Sequence, residues 1–425
     1  MDLLQTTLDN GLHLLIREMR TAPVASFWVW YRVGTRNEHP GITGISHWVE
    51  HMLFRGTERW PAGAADHAIA REGGVYNGMT WYDFTTFYET LPAAHLQIAL
   101  EIESDRMQHA RILESEVESE RTVVISERQG SENSPLFMLG EEVAAAAYRV
   151  HPYGHETIGH LCDLQAMTAA DLRHHYETYY TPNNAVIAVS GDLDAEAVAA
   201  SIAEHFGAIP RGPEPPAVRA VEPRQRGERE VTVRGAGATD YIEMAYHVPA
   251  AAHSDFHALT VLSAILSGGS GFLVGRGHIT NHTSRLYRAL VETEHAVDIS
   301  GGLAPTVDPG LYRLSATVWP GMDPDTVVLK IEEELARMQD TQVSEAELAK
   351  AQRQARALFA YSSESISDQA FWQGFTSIFD TYAWFERYLD QLAAVTAADV
   401  QRVAQTYLDP AQQTTGFYIG NRKEA

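Results

Sequence analysis

The sequence predicts an α+β fold made of two duplicated domains, each a mostly antiparallel β-sheet with helices packed on it, closing like a clamshell. An internal repeat is the main observation. Two motifs recur at one offset of 228 residues, the difference between Asp171 and Asp399: residues 166–172 recur as 394–400, and Tyr179-x-x-Pro182 recurs as Tyr407-x-x-Pro410. A shared register over this distance indicates a duplicated domain.

Local patterns support the mixture of strands and helices. Residues 12–16 and 25–33 are apolar and rich in β-branched and aromatic side chains, between turn-forming glycines and prolines, which is typical of strands. Aromatic residues within 75–88 suggest further strands, whereas residues 93–107 and 114–128 have a helical pattern. Each copy of the repeat is followed by a β-rich run that ends in glycine.

The division into domains follows from length and composition. A chain of 425 residues is too long for one ordinary hydrophobic core. The segment from Pro210 to Arg229 is rich in proline and charge, which is typical of a semi-rigid linker. We expect a first domain over residues 1–212, a linker over 213–229 and a homologous second domain over 230–425.

Composition excludes several classes of function. The chain has 56 acidic and 32 basic residues, and its formal charge of −24 argues against nucleic acids or anionic membranes as partners. No apolar run is long enough to span a bilayer. The start at Met1 lacks the pattern of a signal peptide, and the single Cys162 cannot form an internal disulfide. We expect a soluble protein of the cytoplasm, or of the periplasm if a signal peptide has been removed.

The motif with the clearest chemistry is His47-x-x-Glu50-His51. Residues three and four apart share one face of a helix, and here Thr43 or Ser46 can cap its start. Two neutral imidazoles can bind a catalytic zinc, and the carboxylate beside them can take a proton from water that the metal activates. Histidines at this spacing are otherwise typical of an amphipathic helix, but His-x-x-Glu-His is the inverzincin motif.

A third ligand can come from the acidic helix that follows. Glu120 and Glu127 are seven residues apart and therefore share a helix face. One of them can reach the metal while the other orients a ligand histidine. An acidic run by itself is more often a solvated surface.

Residues 7–194 resemble the catalytic half of the pitrilysin and mitochondrial-processing-peptidase family, which includes insulin-degrading enzyme. Besides the histidine motif, the resemblance rests on five further motifs in order: Leu8-Asp-Asn-Gly-Leu12, Gly73-Gly-Val-Tyr-Asn-Gly-Met-Thr80, Glu120-Arg-x-Val-Val-x-x-Glu127, His151-Pro-Tyr-Gly154 and Tyr180-x-Pro-Asn-Asn184. The chain is most similar to the zinc-bearing subunit of two-subunit bacterial members.

The resemblance implies a role for each matching residue. His47, His51 and Glu127 correspond to the ligands of one Zn²⁺, Glu50 to the general base and Glu120 to the acid that supports a ligand. A strand beside the zinc would take up the peptide substrate as an additional strand. Asn77 and Thr80 would then lie near the substrate, and Gly78 stands where the family has another small residue.

The second half departs from the family where Arg and Tyr side chains normally reach the substrate. Val291 stands in place of the Arg and Asp298 in place of the Tyr, and neither can donate a comparable hydrogen bond. We therefore expect a heterodimer with a homologous, zinc-less subunit that supplies the pair. Residues 266–278 form a glycine-rich stretch placed like the substrate loop of the non-catalytic processing-peptidase subunit.

These observations predict a zinc metalloendopeptidase subunit that cleaves extended peptides. The alternative is a catalytically inactive structural or peptide-binding relative, although such relatives usually have broken metal motifs. A zinc hydrolase of small molecules is disfavoured because two duplicated halves suit long substrates.

Overall fold

A computed structural model describes residues 3–269 and 282–421. Within these ranges the strands form two sheets, and the fold is α+β with mostly antiparallel pairing, as expected. The strands of the first sheet are β1 (Leu3–Thr7), β2 (His13–Glu18), β3 (Val24–Tyr31), β4 (Val75–Thr80), β5 (Thr85–Pro92) and β6 (Ala185–Gly191). The strands of the second are β7 (Arg229–Gly235), β8 (Tyr241–Val248), β9 (Ala296–Leu303), β10 (Gly310–Val318) and β11 (Gln413–Gly420).

The helices alternate with these strands. In the first half they are α1 (Ile45–Phe54), α2 (Ala64–Arg71), α3 (Leu96–His109), α4 (Glu114–Ser131), α5 (Pro135–Ala147), α6 (Leu161–Ala166), α7 (Ala169–Tyr179) and α8 (Ala195–Phe206). In the second they are α9 (Phe256–Leu266), α10 (Pro324–Asp340), α11 (Glu345–Tyr361), α12 (Ile366–Phe379), α13 (Tyr382–Ala394) and α14 (Ala397–Tyr407). In the described part of the chain, none is both long and apolar enough to cross a bilayer.

The first sheet has the order β1-β2-β6-β3-β5-β4, and only β2 and β6 run parallel in it. Its middle strands are buried over almost their whole length, because helices cover them and their side chains are nearly all apolar. Strand β4 lies at the end of the sheet and pairs only with β5 among the described strands. No described strand occupies the other backbone edge of β4, and an edge strand of this kind can pair with a further strand.

Among the described strands, the second sheet repeats the order β2-β6-β3-β5-β4 of the first and has no counterpart of β1. Its order is β7-β11-β8-β10-β9, and β7 and β11 form the parallel pair that corresponds to β2 and β6. The offset of 228 residues carries helix α7 onto α14 residue for residue. Both helices begin with the same capping box, formed by Thr168 with Asp171 and by Thr396 with Asp399. The predicted duplication is therefore visible in the structure.

Two compact units contain these sheets, but neither unit is a continuous stretch of chain. The first consists of residues 1–129, 155–220 and 363–385, and the second of residues 130–154, 221–362 and 386–425. Helix α12 of the second repeat thus belongs to the first unit, and α5 of the first repeat belongs to the second. The domain boundaries predicted at residues 212 and 230 follow the repeat in the sequence. They stay a prediction.

Helix α12 completes the core of the first unit. Phe371 makes edge contacts with Trp28 and Trp30 of β3, with ring centroids 5.6 and 5.3 Å apart. Gly374 brings the helix backbone onto Trp30, where any larger residue would overlap the indole ring. The contact buries large aromatic surfaces, which dominate the stability of a core.

Candidate metal centre

Helix α1 carries the histidine motif, and its start is fixed by Glu38. The Glu38 carboxylate accepts hydrogen bonds from the backbone N–H groups of Gly44 (2.8 Å) and Ser46 (2.9 Å) and contacts Nε2 of His155 at 2.9 Å. The expectation that Thr43 or Ser46 caps this helix is wrong, because Gly44 occupies the cap position in a left-handed conformation. A carboxylate from another segment thus accepts hydrogen bonds from N–H groups at the helix start that have no partner within the helix.

The structure brings His47, His51 and Glu127 together. Their candidate ligand atoms all lie within 4.8 Å of one another. Nε2 of His47 is 3.8 Å from Oε1 of Glu127, and Nε2 of His51 is 3.5 Å from Oε2. Zinc–ligand distances of about 2.0–2.2 Å in a tetrahedron place neighbouring donors about 3.3–3.6 Å apart. The separations are close to this spacing and longer than good hydrogen bonds, so the donor set fits a zinc ion.

Glu120 lies behind His51. Its Oε1 is 2.9 Å from Nδ1 of His51, and its Oε2 forms an ion pair with Arg55. A proton on Nδ1 leaves Nε2 of His51 as the acceptor that faces Glu127. Nδ1 of His47 is buried and has no hydrogen-bond partner among the described residues. Glu120 therefore orients one of the two histidines and has the position of a supporting residue.

The surroundings of the histidines shift their pKa values in opposite directions. Burial, helped by the nearby His51, lowers the pKa of His47 to about 3. Burial alone would also lower the pKa of His51, but the hydrogen bond to Glu120 and the charges of Glu50 and Glu127 raise it above its ordinary value. His47 is therefore neutral and ready to bind a metal at neutral pH, whereas a proton competes for His51.

Glu50 is buried and is held by β4. Oγ1 of Thr80 donates a hydrogen bond of 2.6 Å to Oε2 of Glu50. Burial raises the pKa of Glu50 above its ordinary value, although this hydrogen bond lowers it. A carboxylate whose pKa is raised toward neutrality is better suited to accept and return a proton.

The remaining predicted site residue, Asn77, lies on the exposed edge strand β4. Its Oδ1 accepts a hydrogen bond from its neighbour Gly78. Gly78 pairs with Phe87 in a regular register, without a β-bulge. A Cβ at this position would approach the rings of Phe54 and Phe87 to 3.0 Å, which explains the need for a very small residue.

In the second unit, the two positions that depart from the family lie near one sheet edge. Val291 ends a short π-helix, and Asp298 is an exposed residue of the edge strand β9. Arg285, six residues before Val291, donates two hydrogen bonds of 2.8 Å to Glu347. Residues 270–278 of the glycine-rich stretch lie outside the described residues.

Sequence reasoning missed two contributors to this site. Arg55 follows His51 by one helical turn, so the spacing of His47, His51 and Arg55 could have placed it on the same face. Glu38 offered no such signal, because it reaches α1 from a preceding loop.

Comparisons with known proteins agree with this geometry. Residues 14–160 match the family model described as insulinase, peptidase family M16. Residues 166–355 match the model described as the peptidase M16 inactive domain. The first match lies on the half that carries the histidine motif. The second match follows it and lies mainly on the second half.

Individual relatives extend the match to nearly the whole chain. The zinc protease PqqE of Helicobacter pylori is 30% identical over 97% of this chain and 91% of that protein. A crystal structure of a protease from Helicobacter pylori superposes with a TM-score of 0.92 at 29% identity, covering 98% of this chain and 99% of that one. A probable mitochondrial-processing peptidase subunit beta of Arabidopsis thaliana is 29% identical over 49% of this chain and 39% of that protein.

Proposed function

The chain belongs to the insulinase family of peptidases, family M16, and from this we propose that it is a zinc-dependent endopeptidase that hydrolyses peptide bonds of extended peptides. The observation that carries the proposal is the arrangement of His47, His51 and Glu127 at zinc-ligand spacing beside Glu50. Relatives that match this chain over most of their length are named zinc proteases, which supports the proposal.

In this proposal each residue has a defined task. His47, His51 and Glu127 hold the metal, and Glu120 keeps His51 in the tautomer that binds through Nε2. When bound, zinc acts as a Lewis acid and makes water acidic enough to react near neutral pH. Glu50 takes the proton from the attacking water and delivers it to the leaving amine.

The substrate would bind along β4. An extended peptide can pair with the open edge of this strand, as in other cases of β-strand addition. Thr80 lies at the end of β4 and contacts Glu50, so a peptide in this register passes the proposed base. Asn77 is exposed on the same strand and would contact the bound peptide.

We further propose that full activity needs a homologous, zinc-less partner subunit. Val291 and Asp298 lack the donors that would stabilise the negative oxygen formed during peptide hydrolysis. Arg285 is engaged with Glu347. The description of one relative as a subunit of a processing peptidase supports a divided enzyme.

The second candidate is an inactive structural or peptide-binding relative. One observation favours it: the match of residues 166–355 to a domain described as inactive. The complete donor set in the first unit argues for the peptidase, because an abandoned metal site has no reason to keep all its ligands and the base.

The test combines metal content with turnover of a mixture of quenched fluorescent peptides. We expect one zinc per chain in both the native protein and Glu50→Gln, and a loss of cleavage of about 100-fold or more in the variant. A chain without affinity for zinc would support the inactive relative. Cleavage that survives Glu50→Gln would exclude Glu50 as the base. Zinc binding without Glu50-dependent cleavage would direct the search to the partner.

A further inference from the structure

Helix α4 supplies Glu120 and Glu127, but little of its surface is buried in the first unit. Four of its 18 residues are buried, and two of these, Glu120 and Arg128, carry charges. The side chain of Glu127 is 47% exposed. A helix that buries little apolar surface gains little from hydrophobic packing, so packing alone fixes its place weakly. Polar contacts therefore have a large share in setting the distance between α4 and the histidines of α1.

Arg121 makes such polar contacts with the end of α6. Its Nη1 donates a hydrogen bond to the backbone oxygen of Leu164, and its Nη2 donates one of 2.8 Å to that of Met167. Carbonyl groups at the end of a helix have no partner within the helix and lie at the negative end of its dipole. The side chain of Arg121 is 16% exposed, so solvent screens the contact only weakly. The cation thus ties α4 to α6.

The same guanidinium group lies against α1. Its Cζ atom is 4.9 Å from the centre of the Trp48 ring, which is the distance of a cation–π contact. Trp48 is fully buried and follows His47 directly. Because a helix turns as a rigid unit, contact at Trp48 also fixes the directions in which His47 and His51 point. Arg121 therefore contacts the helix of the two histidines and belongs to the helix of Glu127.

The chemistry of these contacts suits arginine. Its planar guanidinium can donate hydrogen bonds within the plane to two carbonyl oxygens while its face rests on an indole ring, and a lysine ammonium has no such plane. Successive residues of a helix point about 100° apart, so Arg121 points to a different side from the one on which Glu120 meets His51. The exposed Glu118 also accepts a hydrogen bond from Arg121, but an exposed pair of this kind contributes little.

We propose that Arg121 is a positioning residue for the third metal ligand, and that it holds α4 at the distance at which Glu127 meets His47 and His51 before any metal binds. Arg121 is not a ligand itself, because zinc is bound by thiolate, imidazole and carboxylate groups. A site whose ligands are held in place in advance binds more tightly, since less freedom is lost on binding. The inference deepens the proposed peptidase function and rests on it for the identity of the metal.

The experiment is a double-mutant cycle in zinc affinity. Competition with a chromogenic chelator gives the affinity of the native protein, Arg121→Met, Glu127→Gln and the combined variant. Methionine keeps an apolar side chain in place of the arginine stem and removes the charge and the donors. We expect Arg121→Met to weaken zinc binding about tenfold in the native background, as is usual for groups that support a ligand. With Glu127 already replaced, the same change should weaken zinc binding less than about twofold.

Equal losses in the two backgrounds would overturn the proposal, because Arg121 would then support the site as a whole and not Glu127. Arg229→Met is the matched control. Arg229 donates hydrogen bonds to the backbone oxygens of Ala146 and Ala147 at the end of α5, so this variant removes the same type of contact in the second unit. Its zinc affinity should equal that of the native protein, and a loss as large as in Arg121→Met would equally overturn the proposal.

Hydrogen exchange in the metal-free protein provides a second readout. In Arg121→Met the amides of residues 122–131 should exchange about tenfold faster. Those of α1, in which seven of ten residues are buried, should be unchanged. Unchanged exchange in residues 122–131, or equally faster exchange in α1, would overturn the proposal. If Arg121→Met does not fold, Arg121→Lys replaces it in both measurements; it keeps the charge, loses the planar group and should weaken zinc binding about threefold.

Neither readout depends on cleavage, so a failure of this inference is distinct from a failure of the proposed function. The latter would appear as a native chain without affinity for zinc. In that case hydrogen exchange in the metal-free chain still decides whether Arg121 holds α4 in place. A loss of affinity that depends on Glu127, together with faster exchange confined to α4, would support the inference.

Discussion

The hydroxyl of Thr80 donates a hydrogen bond of 2.6 Å to the carboxylate of Glu50, and so connects the edge strand β4 with the helix that carries the histidines. The same hydroxyl lies 3.2 Å from Oγ1 of Thr85, which in turn donates to the backbone oxygen of Val33. The proposed base is thus held by the strand that we expect to bind the substrate. A shift of that strand would move Glu50.

Replacing Thr80 by valine should shift the acid limb of the pH–rate profile to higher pH. The hydrogen bond from Thr80 lowers the pKa of Glu50, so its loss raises a pKa that burial has already raised. A base must be ionised to accept a proton, and activity below neutral pH should fall by about tenfold. The measurement is kcat/KM from pH 5 to 9. Thr80→Ser keeps the hydroxyl and should leave the profile in place; equal shifts in both variants would contradict this role.

Glu120→Gln should weaken zinc binding by about 10- to 100-fold without removing a ligand, as is usual for groups that orient a ligand histidine. An amide interacts more weakly than a carboxylate with both His51 and Arg55. Competition with a chromogenic chelator measures the affinity. Glu118→Gln, on an exposed part of the same helix, is the matched control. Unchanged affinity in Glu120→Gln would exclude the supporting role.

Zinc affinity should fall as the pH is lowered through the pKa of His51. The carboxylates around His51 raise this pKa above its ordinary value despite burial, so the protonated form persists to higher pH. Below that pKa a proton must leave before the metal binds, and affinity should drop by about tenfold per pH unit. In Glu120→Gln the decline should begin at lower pH. A decline at the same pH in both proteins would contradict the assignment to His51.

Val291→Arg combined with Asp298→Tyr should give the chain alone some of the activity that we ascribe to a partner. Losing one donor to the developing oxyanion costs about 10²- to 10³-fold in kcat, so even partial restoration should be measurable as a gain of about tenfold. Cleavage of quenched peptides is the readout, with Glu50→Gln added to the double variant as the control. Absence of any Glu50-dependent gain would count against the missing pair.

Glu38→Gln should destabilise the first unit at neutral pH by about 1–3 kcal/mol, because one buried carboxylate serves two backbone N–H groups and His155. Burial opposes ionisation, but these hydrogen bonds lower the pKa of Glu38 below its ordinary value. The stabilisation is therefore present above the pKa of the unfolded chain, about 4.3, and is lost as the pH falls through the folded value. Denaturant unfolding at pH 7 and pH 3 should show a smaller difference at pH 3.

Much of the architecture could be predicted from short-range sequence patterns. The offset between Asp171 and Asp399 allowed the duplication to be predicted. Capping residues have fixed positions at helix starts, so they recur in the same register. The exchange of α5 and α12 could not be predicted in this way. It depends on contacts such as that of Phe371 with Trp30, and nothing in either segment specifies which sheet it will cover.

The candidate site shows the same division. His47, Glu50 and His51 lie on one helix, so their arrangement follows from helical periodicity. The choice between Glu120 and Glu127 rested on the family resemblance, since both share a helix face. Glu38 gave no local signal, because it reaches the start of α1 from a preceding loop.

The placement of α5 and α12, each in the unit of the other repeat, limits how the gene can be divided or recombined. A gene fragment that encodes only residues 1–212 would produce a sheet without α12, and Trp28 and Trp30 would lose the ring that covers them. Recombination that joins the first repeat of one lineage to the second repeat of another must also match these surfaces. The ancestral copies, once alike, have therefore become mutually dependent, and we expect them to have diverged as an inseparable pair.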